Sequence, residues 1–200
     1  MASAFLTIPH LAQAQIAVGV TAGLSSQDQS NRNTGTTLGG VTFLDAALGD
    51  RFSLGGEVSL GANIRGQQTR RTSTGITTLA SQHRDTIFSG VAKVKVAQAL
   101  RAQVDATVGT GVSWRHTVRH GTFRSFPPLS SAPVDETLSN AVFATTLGLD
   151  AMLNVSPRML MVFTARLHLL KDDDRDGSGV VQRGVGSSIF RFGGGALIRF

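Results

Sequence analysis

The sequence predicts an all-β fold, a transmembrane antiparallel up-and-down β-barrel of about eight strands. Three observations carry that prediction. Apolar residues recur at every second position in segment after segment, the charged residues of those segments fall on the opposite face, and short and long connections alternate along the chain. A strand turns successive side chains to opposite sides, so strict alternation marks a strand with two chemically different faces. Glycine is abundant, 23 of 200 residues, and much of it lies inside apolar segments, where a helix would lose about 1 kcal/mol per glycine. No window holds the eighteen or so apolar residues that a membrane-spanning helix requires.

The elements follow in order. Ala4 to Leu11 is mostly apolar, and Ala12-Gln13-Ala14 has the small-x-small form of a signal-peptidase site. No Lys or Arg precedes Arg32, so residues 1–14 read as a truncated signal peptide ahead of a barrel domain over residues 15–200. The first strand, from Gln15 to Ser25, sets Ile16, Val18, Val20 and Leu24 against Gln15, Gly19 and Thr21. The second, Thr37 to Leu48, is the weakest because both of its faces are largely apolar. Phe52 to Arg65 opposes Phe52, Leu54, Val58 and Leu60 to Ser53, Glu57 and Ser59. Thr86 to Val96 sets Phe88, Ala92 and Val94 against Ser89, Lys93 and Lys95.

The clearest stripe runs from Ala102 to Arg119, where Val104, Val108, Val112 and Trp114 oppose Asp105, Thr107, Ser113 and Arg115. Asn140 to Leu153 opposes Phe143, Leu147 and Leu149 to Thr146 and Asp150. Met159 to Leu170 opposes Met161, Phe163 and Leu167 to Thr164, Arg166 and His168. The last, Ser188 to Phe200, opposes Phe190, Phe192 and Ile198 to Arg191 and Arg199.

Short turns join these strands at Gly49-Asp50-Arg51, Gln98 to Arg101 and Asn154 to Arg158. Between them stand longer polar stretches, Ser25 to Thr36, Gly66 to Arg84, His120 to Glu136 and Lys171 to Gly186, expected to be loops. That alternation matches a bacterial outer-membrane barrel, with short periplasmic turns and long outer loops. An even strand number then puts both termini in the periplasm. Stripes of nine to eleven residues suffice to cross the hydrocarbon layer when tilted.

The composition excludes other classes. Nineteen Lys and Arg against 13 Asp and Glu give a net charge of +6, but the basic residues alternate with apolar ones or sit in polar stretches. They form no patch interleaved with aromatic rings, so no nucleic-acid partner is expected. Cysteine is absent, which removes any Cys-based metal site and any mispaired disulfide. A soluble lipocalin-like barrel around an apolar ligand is the competing class, and it would turn the apolar stripes inward.

The chain closes on Phe192-Gly193-Gly194-Gly195-Ala196-Leu197-Ile198-Arg199-Phe200. A terminal Phe preceded by apolar residues at alternate positions resembles the signal recognised in the small outer-membrane barrel family typified by the transmembrane domain of outer-membrane protein A. From Gln15 to Phe200 the chain is similar to that family. The resemblance implies recognition of Phe192, Ile198 and Phe200 by the barrel-assembly machinery, and a setting of outer-membrane lipid and lipopolysaccharide. Tyr is absent and Trp114 stands alone, so aromatic girdles would rest on Phe52, Phe88, Phe143 and Phe200. A monomer is expected, and no cofactor.

Several residues are candidates for chemistry. Glu57, Lys93, Lys95, Asp105 and Asp150 fall near the short-turn end of the inner face, and a hairpin centred near residue 99 would set Lys93 opposite Asp105. Such pairs fill a narrow barrel and need partners, because isolated buried charges are costly. Higher up, Arg65, Arg115, Arg119, Arg166 and Arg191 form a basic interior with no matching acids in phase. Asp172, Asp174, Asp176 and Gly177 match the opening of a calcium loop. Arg183 stands where its closing Glu would be and no helices flank it, so a solvated acidic tip is preferred. Arg70, Arg71, Arg84 and Arg124 suit either lipopolysaccharide phosphates or loop solubility. His116 lies on the lipid-facing phase with Ser113 on the other and no triad motif around it, so the expectation is a non-enzymatic protein contributing to envelope structure, surface interaction or limited small-solute passage.

Overall fold

Alternation of apolar and polar residues becomes alternation of exposed and buried ones, in the sense opposite to that of a water-soluble protein. The computed structural model describes residues 15–28, 35–61, 64–126, 130–171, 173–175, 181–183 and 187–200. On the strand Met159–Leu170, Phe163 and Leu169 are exposed while Arg166 and His168 are fully buried. Apolar rows facing out and charges facing in are what lipid outside and a closed interior demand. The lipocalin-like orientation is the reverse and does not fit.

The elements are β1 (Ile16–Asp28), β2 (Gly35–Ala47), β3 (Phe52–Gly61), β4 (Ile64–Arg71), β5 (Gly75–Gln98), β6 (Ala102–Ser125), β7 (Ser131–Asn154), β8 (Met159–Leu170), β9 (Asp173–Arg175), β10 (Val181–Arg183) and β11 (Ser187–Arg199). Neighbours are antiparallel throughout, in the order β3-β2-β1-β11-β8-β7-β6-β5-β4, and β3 also pairs with β5. That last pairing closes the ring. Because β3 and β4 pair with successive stretches of β5, the wall has eight positions, as expected. The short β9 and β10 form a separate ribbon.

The short turns gather at one end, together with both ends of the described barrel: Ala47 N–H donates to Gln15 O at 3.0 Å and Phe200 N–H to Ile16 O at 2.9 Å. Gly49 has φ 133°, a conformation open to glycine and rarely to other residues, and it shapes the β2–β3 turn.

Two expectations about the opposite end fail. Gly66 to Arg84 and His120 to Glu136 are not simply loops; most of them is strand, because β5, β6 and β7 each run for 24 residues. Of the other walls, β1, β2 and β11 have 13 residues and β8 has 12, while β3 and β4, with 10 and 8, together follow β5. At about 3.3 Å per residue the long strands measure about 80 Å and the short ones about 43 Å. With the usual tilt, the short strands just cross the ~25 Å apolar band, and the long ones stand well clear of it. The tall wall looked like loop because above the membrane both of its faces are polar enough to blur the alternation.

The inner face is also less polar than alternation alone suggests. Val41, Phe43, Met152, Leu160, Val162 and Leu197 cluster at the short-turn end. Ile87, Val142, Ala144, Leu170 and Ile189 cluster toward the other end. This explains why β2 was hard to read: Val41 and Phe43 point inward while Leu38 and Leu44 of the same strand are exposed.

Candidate functional site

Beside the apolar cluster at the short-turn end, with Phe43 against Lys93, lies a network of buried charges. Its centre is Arg166 on β8, which reaches Glu57 on β3 and Asp150 on β7. Arg166 Nε donates to Glu57 Oε2 at 2.9 Å and Nη2 to Glu57 Oε1, the fork geometry that suits a carboxylate. Nη2 also donates to Asp150 Oδ2 at 3.0 Å, while Nη1 donates to the carbonyls of Leu149 and Ala165, each at 3.2 Å, and lies 2.6 Å from Asp150 Oδ1. All five guanidinium hydrogens therefore have partners, which a fully buried arginine requires. Gly148, opposite Arg166 in the β7–β8 register, makes the room. A Cβ there would meet Arg166 Cδ at 2.7 Å and Nη1 at 2.8 Å.

Lys93 on β5 supplies the second cation. Its Nζ lies 2.7 Å from Asp45 Oδ2, 3.0 Å from Asp150 Oδ2 and 3.6 Å from Glu57 Oε1, and 4.1 Å from the centroid of the Phe43 ring. It does not face Asp105. Lys93 pairs in register with Thr107, and Asp105 with Lys95, because the β5–β6 turn is centred beyond residue 99 and the register shifts between Lys95 and Ala97. Asp105 is instead held by Gln103 Nε2, at 2.8 and 2.9 Å to its two oxygens.

A chain of weaker donors crosses the interior above this cluster. Ser89 Oγ, Thr146 Oγ1 and His168 Nδ1 are linked at 3.0 Å each, and His168 Nε2 meets Ser59 Oγ at 3.2 Å. Arg191 on β11 donates to Ser59 Oγ, to Ser25 Oγ at 3.2 Å and to the carbonyl of Asp85 at 3.3 Å. Arg115 donates to Asp85 Oδ1 at 3.0 Å and to Ser187 Oγ at 3.0 Å.

Three of the five upper cations thus have acids, while Arg191 has hydroxyls and a carbonyl instead. Arg166 descends to Glu57 and Asp150, Arg115 has Asp85, and Arg119 in the tall wall has Glu136 at 3.1 Å. Arg65 stands opposite Gln82, past a one-residue shift between Leu60↔Thr86 and Ile64↔His83. Asp45 and Asp85 were missed in the sequence. Asp85 shares the phase of Ser89 and Lys93, so extending that strand by one residue would have found it. Asp45 was hidden by the apolar inner residues of β2.

The remaining candidates are placed as follows. Phe192, Ile198 and Phe200 are exposed on the outer side of β11 and its end. Phe52, Phe88, Phe143 and Trp114 are exposed on the same side. Asp172 and Asp176 lie outside the described residues, as do residues 1–14; Asp174 belongs to β9, opposite Gln182. His116 faces outward and pairs with Ser139 Oγ at 2.9 Å, not with Ser113, which is buried. His120 pairs with Asp135 at 2.8 Å on the same outer side.

No family model matches the chain, and no curated protein matches it in sequence. Solved structures match it in shape. Ail, the attachment invasion locus protein of Yersinia pestis, is 11% identical with a TM-score of 0.52, over 94% of this chain and 99% of that one. A major outer membrane protein from Thermus thermophilus is 14% identical with a TM-score of 0.52, over 94% and 99%. The outer membrane protease OmpT from Escherichia coli is 11% identical with a TM-score of 0.52, over 93% and 97%. At such identities the likeness is one of fold: the chain has the architecture of outer-membrane β-barrels. A fold that includes a protease does not name an activity.

Proposed function

We propose that this chain is a non-enzymatic protein of the bacterial outer membrane, with a packed interior in place of a pore and a tall wall that serves contact at the cell surface. The observation that carries the reading is the Arg166–Glu57–Asp150–Lys93–Asp45 cluster. It ties β2, β3, β5, β7 and β8 together across the barrel interior, with Phe43 packed against Lys93. Eight strands enclose a section that side chains can fill, and long cationic side chains fill it well. The exposed apolar belt supports membrane insertion, and the gathering of short turns with both barrel ends supports termini in the periplasm.

Phe192, Ile198 and Phe200 are the residues we assign to recognition by the barrel-assembly machinery, and a monomer suffices for a closed wall. The outward His116–Ser139 pair supports no catalysis: among the described residues no carboxylate orients the imidazole, and the nearest carboxylate-bound histidine, His120, is a separate pair.

Purified protein in planar bilayers is expected to show little or no steady conductance. A large, stable, ohmic current from the unmodified chain would replace this reading with that of a small-solute channel.

A further inference from the structure

Arg191 is only 3% exposed, yet among the described residues its guanidinium meets no carboxylate. In the β8–β11 register it faces a second cation, Arg166, whose donors are taken by Glu57 and Asp150. Asp85 offers Arg191 its backbone carbonyl, while the Asp85 carboxylate is held by Arg115 at 3.0 Å. Of the five guanidinium hydrogens three are used: Nε donates to Ser25 Oγ at 3.2 Å, Nη1 to Ser59 Oγ, and Nη2 to Asp85 O at 3.3 Å. One hydrogen on each terminal nitrogen is left over. Ser25, itself buried, accepts from Arg191, and its own hydroxyl hydrogen has no acceptor among the described residues.

These spare donors border a gap that two glycines leave open. Gly39 on β2 and Gly61 on β3 stand directly opposite in register, and both face inward in the phase of Val41 and Ser59. A Cβ on Gly61 would lie 3.0 Å from Arg191 Nη2 and 3.6 Å from Ser25 Oγ, and one on Gly39 would also lie 3.6 Å from Ser25 Oγ. The space of the missing methyl is therefore within reach of an arginine N–H and a serine O–H together. Glycine weakens a strand interior and often marks a place where something approaches the backbone closely. A buried cation also needs a counter-charge. Water would fill the gap and leave that charge uncompensated. A space the size of one or two methyl groups suits a monatomic anion and is too small for a phosphate or an organic acid.

We propose that Arg191, Ser25 and Gly61 form a buried site for a halide ion, held between β11, β1 and β3 as the counter-ion of Arg191. Arg191 Nη2 and the Ser25 hydroxyl donate to the ion, and Gly61 makes the room. The site goes beyond the packed-interior reading and rests on the closed barrel alone. A conducting lumen would overturn that reading and leave this proposal standing.

The full chain, folded in neutral detergent micelles, would be unfolded by heat in rising sodium chloride, with sodium gluconate holding the ionic strength constant. An ion that binds only the folded state raises the midpoint with the logarithm of its concentration. Gluconate is too large for the gap, so the parent midpoint should climb with chloride. Gly61→Ala puts a methyl where the ion would sit and should abolish the dependence. Ser25→Ala keeps the space and removes one donor, so it should need about tenfold or more chloride for the same rise, the effect of losing one hydrogen bond to a charged group. Crystals of the parent grown in sodium bromide should show an anomalous peak beside Arg191 Nη2 and Ser25 Oγ. Equal parent midpoints in chloride and gluconate, as water in the gap would give, would overturn the proposal. So would a parent-like chloride response in Gly61→Ala or in Ser25→Ala, or the absence of the bromide peak. Where Gly61→Ala fails to fold, Ser25→Ala and the bromide peak decide by themselves.

Discussion

Arg166 stands among two carboxylates and two carbonyls with no hydrogen left unpaired, and the consequences of disturbing it can be stated in order. Arg166→Met leaves Glu57 and Asp150 buried with Lys93 as their nearest cation, and it should cost about 3–5 kcal/mol in urea unfolding from lipid vesicles. A loss well under 1 kcal/mol would mean that water reaches these groups. Gly148→Ala tests the same contact from the other side: the added methyl meets Ala165 O at 2.5 Å and Arg166 Cδ at 2.7 Å, and overpacking of that kind costs about 1–3 kcal/mol. Gly90→Ala, with nothing within 4 Å of the new Cβ, should leave stability nearly unchanged by the same assay. What the sequence showed at this scale was the face on which each charge lies. The partner was hidden. Lys93 binds Asp45, 48 residues away, and Arg166 binds Glu57, 109 residues away. Contacts across a barrel depend on how its strands are staggered, which no local pattern records.

Strands were legible where one face meets lipid, because lipid tolerates only apolar side chains and makes the alternation strict. Val108 on β6 is one such position, about half exposed at 52%, and its neighbour Thr107 is buried. Val108→Arg should lower stability by about 2–4 kcal/mol if the residue lies near the midplane, measured by unfolding from vesicles of fixed thickness. Indifference to that change would count against the proposed orientation. Where a strand leaves the membrane the constraint relaxes, and the upper half of β5, β6 from His120 and β7 as far as Glu136 read as loop. Register was legible only as far as turns are symmetric. The β5–β6 turn, centred between Leu100 and Arg101, together with a one-residue shift between Lys95 and Ala97, sets Thr107 and not Asp105 opposite Lys93.

Closure of β1 against β11 makes the ring a single cooperative object with no edge in the apolar band. Boiled and unboiled samples in detergent should therefore migrate differently in gels, and identical migration would show that no closed barrel had formed. The ring itself could be anticipated from the alternation of short and long connections, since that asymmetry belongs to the whole molecule and survives errors in any one strand. The unequal height of the wall could not. It has a consequence in the plane of the membrane. A barrel cut level has no preferred compass direction, but one whose β5–β7 side rises to nearly twice the length of its β1–β11 side has a front and a back. Neighbours diffusing toward it meet the long strands from one bearing and, among the described residues, shorter strands from the other, so its encounters with anything else that projects from the surface depend on the heading from which they come.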